Sequence, residues 1–364
     1  MKITFLVRNL SKKFSATTMV LLRHAYQLQK KGHSVTIIIP ADRGDCIKKE
    51  TFFKQPNFLY KFRKILNLTR GGKVQLKCFW MEVNDFNLPI IEVPDLNEKH
   101  IPDGDIIIAG SVWMLDAVNS YSSRKGKKFY LIQGYDLYSE INKKRYKFPI
   151  KKIAVSTYLK NRIEEVIGKT EIEVVNNGVD IEFFNADGRK YNIPPARICM
   201  VYYYKAPYEV KAVSDGVKVF EMAKKEISEI KLIMFGTKKG KDIPLDTEFY
   251  ISPSRKKISD IYRSCDIFVS PSKEEACQLP PMEAMACGCA VVATNVGGIP
   301  DYTIGGKTAL VSSPGDLKGI LENLLFLLKN PEKFIEIAKS GNQYIKNFSW
   351  EKVNLKLEKI LFSS

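Results

Sequence analysis

The chain has 364 residues, 45% hydrophobic and 27% charged, a balance that excludes a disordered tail and leaves a globular protein long enough for two cores. Its seven cysteines are odd in number and hold no C-x-x-C pair, which excludes a disulfide scaffold and a zinc ribbon and reads as reduced thiols in a cytosolic protein. Net charge is +17, and residues 1–180 hold 31 Lys and Arg against 18 Asp and Glu, so the first half is expected to face something acidic.

In chain order, Met1 to Ile3 runs straight into the strand Ile3–Val7, with neither a signal peptide nor a membrane span expected. A helix through Met19 to Lys31 carries apolar residues at helical spacing, Gly32-His33 ends it, and Val35–Ile39 is an apolar strand. This β-α-β start predicts a parallel sheet, continued by strands at Ile106–Ala109, Lys128–Ile132 and Lys152–Val155. The rhythm restarts with the strand Ile198–Tyr202, a helix over Asp215–Ile227 and the strand Lys231–Phe235. It goes on through the strand Ile267–Ser270, a helix from Met282 and the strand Ala290–Thr294. Two such rounds predict an α/β chain of two doubly wound, Rossmann-like domains, 1–180 and 181–344, hinged over Asn176–Ala186 where Asn-Asn-Gly-Val-Asp supplies turn chemistry. A last helix, Ser349–Phe362, follows the second sheet, and residues 345–364 are expected to pack back on the first domain.

Between Lys48 and Lys77 the residues Phe52, Phe53, Phe58, Tyr60 and Phe62 alternate with cations that include Lys61, Arg63 and Lys64. An anionic membrane surface calls for that interleaving, because apolar groups enter the lipid boundary while cations meet head groups. A second cluster runs from Lys143-Lys144-Arg145 to Lys151-Lys152. No nucleic-acid module is recognisable, so nucleic acid is not an expected partner.

The most informative stretch is Glu275-Ala-Cys-Gln-Leu-Pro-Pro-Met-Glu283, two glutamates separated by seven residues ahead of a helix. Pro280 and Pro281 suit a first helical turn, and the loop before them points toward the carboxyl ends of the strands, where an α/β sheet binds ligands. Together with Lys31-Gly-His-Ser-Val35, Val175–Asp180, Ile267–Ser272 and Gly297-Gly-Ile-Pro-Asp301, in the same order, the pattern resembles glycosyltransferase family 4, retaining enzymes of GT-B fold. The resemblance covers almost the whole chain. It implies two Rossmann-like domains facing a central cleft, the first for the acceptor and the second for a nucleotide-sugar donor. By the same resemblance Glu275 contacts donor-sugar hydroxyls and Glu283 the nucleotide ribose, with Gln278 and Leu279 beside the donor. Lys205 and Lys211 would neutralise the donor diphosphate, since fixed cations in a dry cleft stabilise the charge that grows on the leaving group.

The departures are as specific as the matches. Ser15 and Ala16 stand where the family often has two glycines facing the donor, Lys205 stands where many relatives have Arg, and Gln278 replaces a glycine beside the donor sugar. None of His24, His33 and His100 supplies the family's amino-terminal histidine, and Gln133 and Asp136 occupy that place, which assigns them to the acceptor side. Asp103-Gly104-Asp105 matches a metal-binding Asp-x-Asp by letter but precedes a strand, at the wrong end of a parallel sheet, so neither a metal nor another cofactor is expected. The function expected is retaining transfer of a hexose or deoxyhexose to a glycan or lipid-linked glycan in polysaccharide or glycoconjugate synthesis. The place expected for it is the cytoplasm, against the inner face of the membrane. A sugar-nucleotide epimerase or a non-catalytic nucleotide-sugar-binding subunit are the alternatives.

Overall fold

The computed structural model describes residues 1–8, 16–41, 74–75, 86–204 and 208–363. Ser15, Lys205 and almost all of the basic segment Lys48–Lys77 lie outside them, as do Cys46 and Cys78. The chain divides into two compact units. Unit 1 is Met1–Val155, Lys160–Val175 and Asn354–Ser364, and unit 2 is Ser156–Leu159 and Asn176–Val353.

Unit 1 is built on an eight-stranded sheet: β1 (Lys2–Leu6), β2 (Ser34–Pro40), β3 (Val74–Gln75), β4 (Ile90–Val93), β5 (Ile106–Ala109), β6 (Lys127–Ile132), β7 (Lys151–Ala154) and β8 (Ile172–Val174). Their order is β3-β4-β2-β1-β5-β6-β7-β8, parallel throughout except β3 against β4. The central strands are apolar on both faces because helices cover both, which is why β5 reads Ile-Ile-Ile-Ala without alternation. These helices include α1 (Ala16–Lys30), α2 (Leu115–Ser120), α3 (Glu140–Tyr146) and α4 (Thr157–Ile167). Leu21, Leu22 and Leu28 of α1 are buried, each stabilising the unit by about 1.5–3 kcal/mol. Gly110, just after β5, admits this packing, since a Cβ there would lie 2.4 Å from Leu21 Cδ1.

Unit 2 has a six-stranded, wholly parallel sheet of β9 (Arg197–Tyr202), β10 (Lys231–Gly236), β11 (Glu248–Ile251), β12 (Ile267–Ser270), β13 (Ala290–Thr294) and β14 (Leu310–Ser312), ordered β11-β10-β9-β12-β13-β14. Around it stand α5 (Val213–Glu226), α6 (Arg255–Ser264), α7 (Pro280–Ala286), α8 (Ile299–Tyr302), α9 (Leu317–Lys329) and α10 (Pro331–Ile345). Its core joins Met200, Phe220, Leu232, Val292, Leu324 and Phe334. The two doubly wound α/β sheets agree with the sequence expectation, α1 begins at Ala16 rather than Met19, and α7 takes Pro280 and Pro281 as its first turn, as their chemistry suggested, two residues ahead of Met282. Proline tolerates that first turn because its missing N–H would have no intrahelical partner there.

The last helix, α11 (Trp350–Phe362), gives unit 1 its residues from Asn354 onward. Leu357 and Leu361 are buried, and Asn354 Oδ1 lies 3.1 Å from Nδ1 of the fully buried His24 in α1. Burial holds the His24 imidazole down at a pKa of about 4 against that hydrogen bond, so the ring is neutral at pH 7. Glu358 pairs with Lys31 at 2.7 Å and with His33 Nε2 at 3.1 Å. Asp103 and Asp105 sit at the amino end of β5: Asp103 pairs with Lys125 at 2.7 Å, and Asp105 Oδ2 accepts from the Lys2 amide at 2.7 Å. Both carboxylates are thus engaged within the fold, tying the start of β5 to Lys125 and to the start of β1. Among the described residues no helix is long and apolar enough to cross a membrane.

Candidate active site

In unit 2 the helix after β9 leads outward to β10, and the helix after β12 leads the opposite way to β13, so strand order reverses between β9 and β12. Such a switch point opens a crevice beyond the carboxyl ends of the two strands. Into it run residues 203–204 and 208–211, after β9, and 271–279 from β12, and the Lys273 amide donates to Val210 O at 2.6 Å across the gap.

Here Lys211 Nζ meets Glu275 Oε1 at 2.5 Å, and Ser272 Oγ donates to the same oxygen at 3.0 Å. The Glu275 side chain is 8% exposed and that of Lys211 19%. Burial raises the Glu275 carboxyl above its ordinary value, and the Lys211 charge and the Ser272 hydroxyl oppose the rise without cancelling it. The Lys211 ammonium also sits 5.2 Å from the centroid of the Tyr203 ring, a favourable cation–π distance. Immediately after it, Ala212 caps α5 in the left-handed region at φ 48°, which costs a non-glycine residue about 1–2 kcal/mol. Local strain of this kind persists where surrounding contacts hold it, and the 2.9 Å bond from the Ala212 amide to Glu209 O is one such contact.

The loop bearing Glu275 is braced from beneath. Gly297, at φ 57°, has no room for a side chain: a Cβ would fall 2.7 Å from Glu275 O. Gly298 packs as closely, with Cys277 Sγ 2.7 Å from the same position. Asn177 Nδ2 donates to Cys277 O at 3.0 Å, and Thr294 Oγ1 donates to Ser272 O. A carboxylate fixed by four separate segments can present one geometry to a ligand at little reorganisation cost.

Other expected site residues fall around this pair. Glu283, half-buried in the first turn of α7, accepts from Tyr262 OH at 3.4 Å. Leu279 is the residue before α7, with helical φ and ψ of −81° and −41° and no side-chain cap. Gln278 turns inward: Ser270 Oγ donates to its Oε1 at 2.7 Å, and its Nε2 is buried without a partner. Ala16 opens α1 in unit 1, exposed. In unit 1, Gln133 follows β6 with its Nε2 buried and unpartnered, and Asp136 Oδ2 accepts from Tyr130 OH at 3.2 Å. Burial raises the Asp136 carboxyl above its usual range, opposed by Tyr130 and the Arg8 charge. Sequence reasoning missed Ser272, Tyr203 and the neighbouring ion pair of Lys273 with Asp215 at 2.7 Å. Ser272 was within reach, since it lies in the Ser-Pro-Ser turn that ends β12; Tyr203 carries no signal that sets it apart from its neighbours Tyr202 and Tyr204.

Among the described residues, no cluster of three or more His, Cys, Asp or Glu side chains is arranged to hold a metal ion. The five cysteines described, Cys199, Cys265, Cys277, Cys287 and Cys289, are free and buried.

Residues 197–330, which contain this crevice, match the family model of glycosyl transferases group 1. Over 213 residues the chain is 28% identical to an uncharacterized glycosyltransferase of Methanocaldococcus jannaschii, a match covering 57% of this chain and 58% of that protein. Over 111 residues it is 33% identical to the sulfoquinovosyl transferase of Arabidopsis thaliana, covering 30% of this chain and 22% of that one. The chain thus spans little more than half the length of the first relative and under a quarter of the second. A solved Anabaena structure in complex with UDP and glucose has the same fold, with a TM-score of 0.71 at 15% identity over 100% of both chains. Residues 197–330 are therefore similar to the group 1 glycosyl transferases, within a chain of GT-B fold.

Proposed function

We propose that the chain is a retaining glycosyltransferase that moves a hexose or deoxyhexose from a nucleoside-diphosphate sugar to a glycan or lipid-linked glycan. The observation that carries this reading is the Lys211–Glu275 pair at the switch point of a group 1 domain. The UDP and glucose bound in the Anabaena structure supply a precedent for the donor class on this fold. In this mechanism the donor diphosphate displaces Glu275 from Lys211, and the lysine stabilises the negative charge that develops as the glycosidic bond lengthens. Lys205, which lies outside the described residues, is assigned the same task. Glu275, released from the ammonium and still held by Ser272, accepts hydrogen bonds from donor-sugar hydroxyls. Glu283 takes the ribose hydroxyls, and the Leu279 main chain and Gln278 lie alongside the donor. Ser15 and Ala16 are assigned to the donor, and Gln133 and Asp136 to the acceptor. No metal is required, and the chain works at the inner face of the membrane.

The test is to incubate the protein with a panel of nucleoside-diphosphate sugars and follow nucleoside diphosphate release with and without glycan acceptors. Acceptor-stimulated release supports the proposal. An epimerised donor formed without acceptor, or nucleotide binding with no release from any donor, would overturn it.

A further inference from the structure

Tyr262 lies in the last turn of α6 and is fully buried, and its hydroxyl ends on Glu283 Oε2 in the first turn of α7, 3.4 Å away. Phenylalanine would fill the same space without bringing a polar atom into the core, so the oxygen needs a use that justifies its desolvation. The ring itself cannot move to find another partner. Its edges and faces meet Phe184, Phe235 and Phe268 at centroid distances of 6.1, 5.6 and 5.7 Å. Its main chain is held as firmly, with the Tyr262 carbonyl accepting from Arg189 Nη1 and from Cys289 Sγ, each at 3.1 Å.

The same Arg189 Nη1 donates to Cys287 O at 3.1 Å, the residue that caps the end of α7. One guanidinium thus holds the carboxyl ends of α6 and α7 against each other, and Gly288, at φ 80°, admits it: a Cβ there would lie 2.7 Å from Arg189 Cδ. With both helices fixed in this way, the separation of the Tyr262 hydroxyl from the head of α7 is set by the fold. Burial holds the Tyr262 phenol well above its ordinary pKa, and the neighbouring Glu283 charge adds to the rise, so the hydroxyl stays protonated and donates. A carboxylate has about four acceptor sites, so one bond from Tyr262 can set its rotation without exhausting it.

We infer that Tyr262 is a positioning residue for the donor nucleotide: its hydroxyl holds the Glu283 carboxylate in the orientation that accepts from the ribose hydroxyls of a ribonucleoside diphosphate. The inference rests on the proposed assignment of Glu283 to the ribose. At 3.4 Å the bond is long for a phenol and a carboxylate, and bonds of this kind commonly tighten once the ligand is in place. The consequence is a preference for ribose over deoxyribose that originates partly in α6, because a carboxylate locked in place for a hydroxyl is left unpaired by a ligand that lacks it.

Tyr262→Phe keeps the ring and its packing and removes only the hydroxyl. Titration calorimetry on the full chain compares UDP, ADP and GDP with their 2′,3′-dideoxy counterparts, in wild type, Tyr262→Phe, Glu283→Ala and the double variant. For the ribonucleotide that wild type binds, Tyr262→Phe should lose about tenfold in affinity, the low end of what a hydrogen bond to a charged group contributes. For the dideoxy counterpart the loss should stay within about twofold. The double variant should bind the ribonucleotide no more weakly than Glu283→Ala does, since the hydroxyl acts through that carboxylate. Equal losses for the two nucleotides would make Tyr262 a packing residue only and overturn the inference, and so would an unchanged affinity for the ribonucleotide. Glu283→Ala reports separately on the assignment beneath it. If that variant loses affinity for the ribonucleotide alone and Tyr262→Phe does not, the ribose assignment stands and the positioning role fails. If Glu283→Ala weakens both forms equally or neither, or wild type binds none of the three nucleotides, the ribose assignment fails and takes the inference with it.

Discussion

Replacing Glu275 with Gln keeps the volume of the side chain and removes its charge, and in the structure that change acts on two things at once. The carboxylate is the partner of Lys211 at 2.5 Å, and the proposed donor diphosphate must take that same ammonium. A charge-assisted hydrogen bond contributes about 1.5–3 kcal/mol, and a neutral amide oxygen in its place about half of that. Donor binding to Glu275→Gln should therefore have about 1 kcal/mol less to displace. Nucleoside diphosphate should bind the variant about fivefold more tightly than wild type, while transfer falls by ~100-fold or more because the sugar has lost its anionic anchor. Titration calorimetry with UDP and other nucleoside diphosphates measures the first effect, and nucleotide release at saturating donor the second. The reasoning fails if the variant binds nucleoside diphosphate more weakly than wild type, since Lys211 would then not be shared between Glu275 and the diphosphate. Undiminished transfer would remove Glu275 from the reaction altogether.

Lys211→Met should lower turnover by ~100-fold or more at saturating donor, and a loss of only a few-fold would hand its role to other cations. The same substitution leaves Glu275 buried with Ser272 alone, so any residual activity should fall off on acidification at a higher pH than in wild type, read from a kcat–pH profile. Glu283→Ala should weaken nucleotide and nucleotide-sugar binding alike, and a calorimetric affinity equal to wild type would rule out ribose contact. His24 predicts acid sensitivity. Its folded pKa of about 4 lies below the ordinary 6.5, so the unfolded chain binds the proton first, and stability present above pH 6.5 is lost as pH falls toward 4. The loss should reach ~2 kcal/mol by pH 5, seen in urea unfolding at the two pH values, and His24→Gln should flatten that slope.

The central strands were legible because burial on both faces writes them as unbroken apolar runs: Ile106–Ala109, Ile267–Ser270 and Ala290–Thr294 coincide with β5, β12 and β13 to the residue. The edge strands were not. β8 (Ile172–Val174) and β11 (Glu248–Ile251) carry Glu173 and Glu248 within short stretches that share a pattern with loops. The glutamate pair could be found by spacing, but its tie to Lys211 could not, because it crosses 64 residues and depends on β9 lying beside β12. His24 likewise looks like an ordinary polar residue of a helix until Asn354, 330 residues away, is seen beside it.

That last contact bears on how the chain assembles as it is made. Unit 1 opens the sequence, yet its α1 face is finished by Asn354, Leu357 and Leu361. Domains commonly fold in order of synthesis, the first to emerge closing first. This one cannot. Until residues 354–363 have been translated, His24 and the apolar side of α1 lack their cover, while unit 2, complete at Val353, already holds all its strands. A released chain truncated after Val353 should therefore present a protease-resistant second half and a cleavable first half, the inverse of their order in the message.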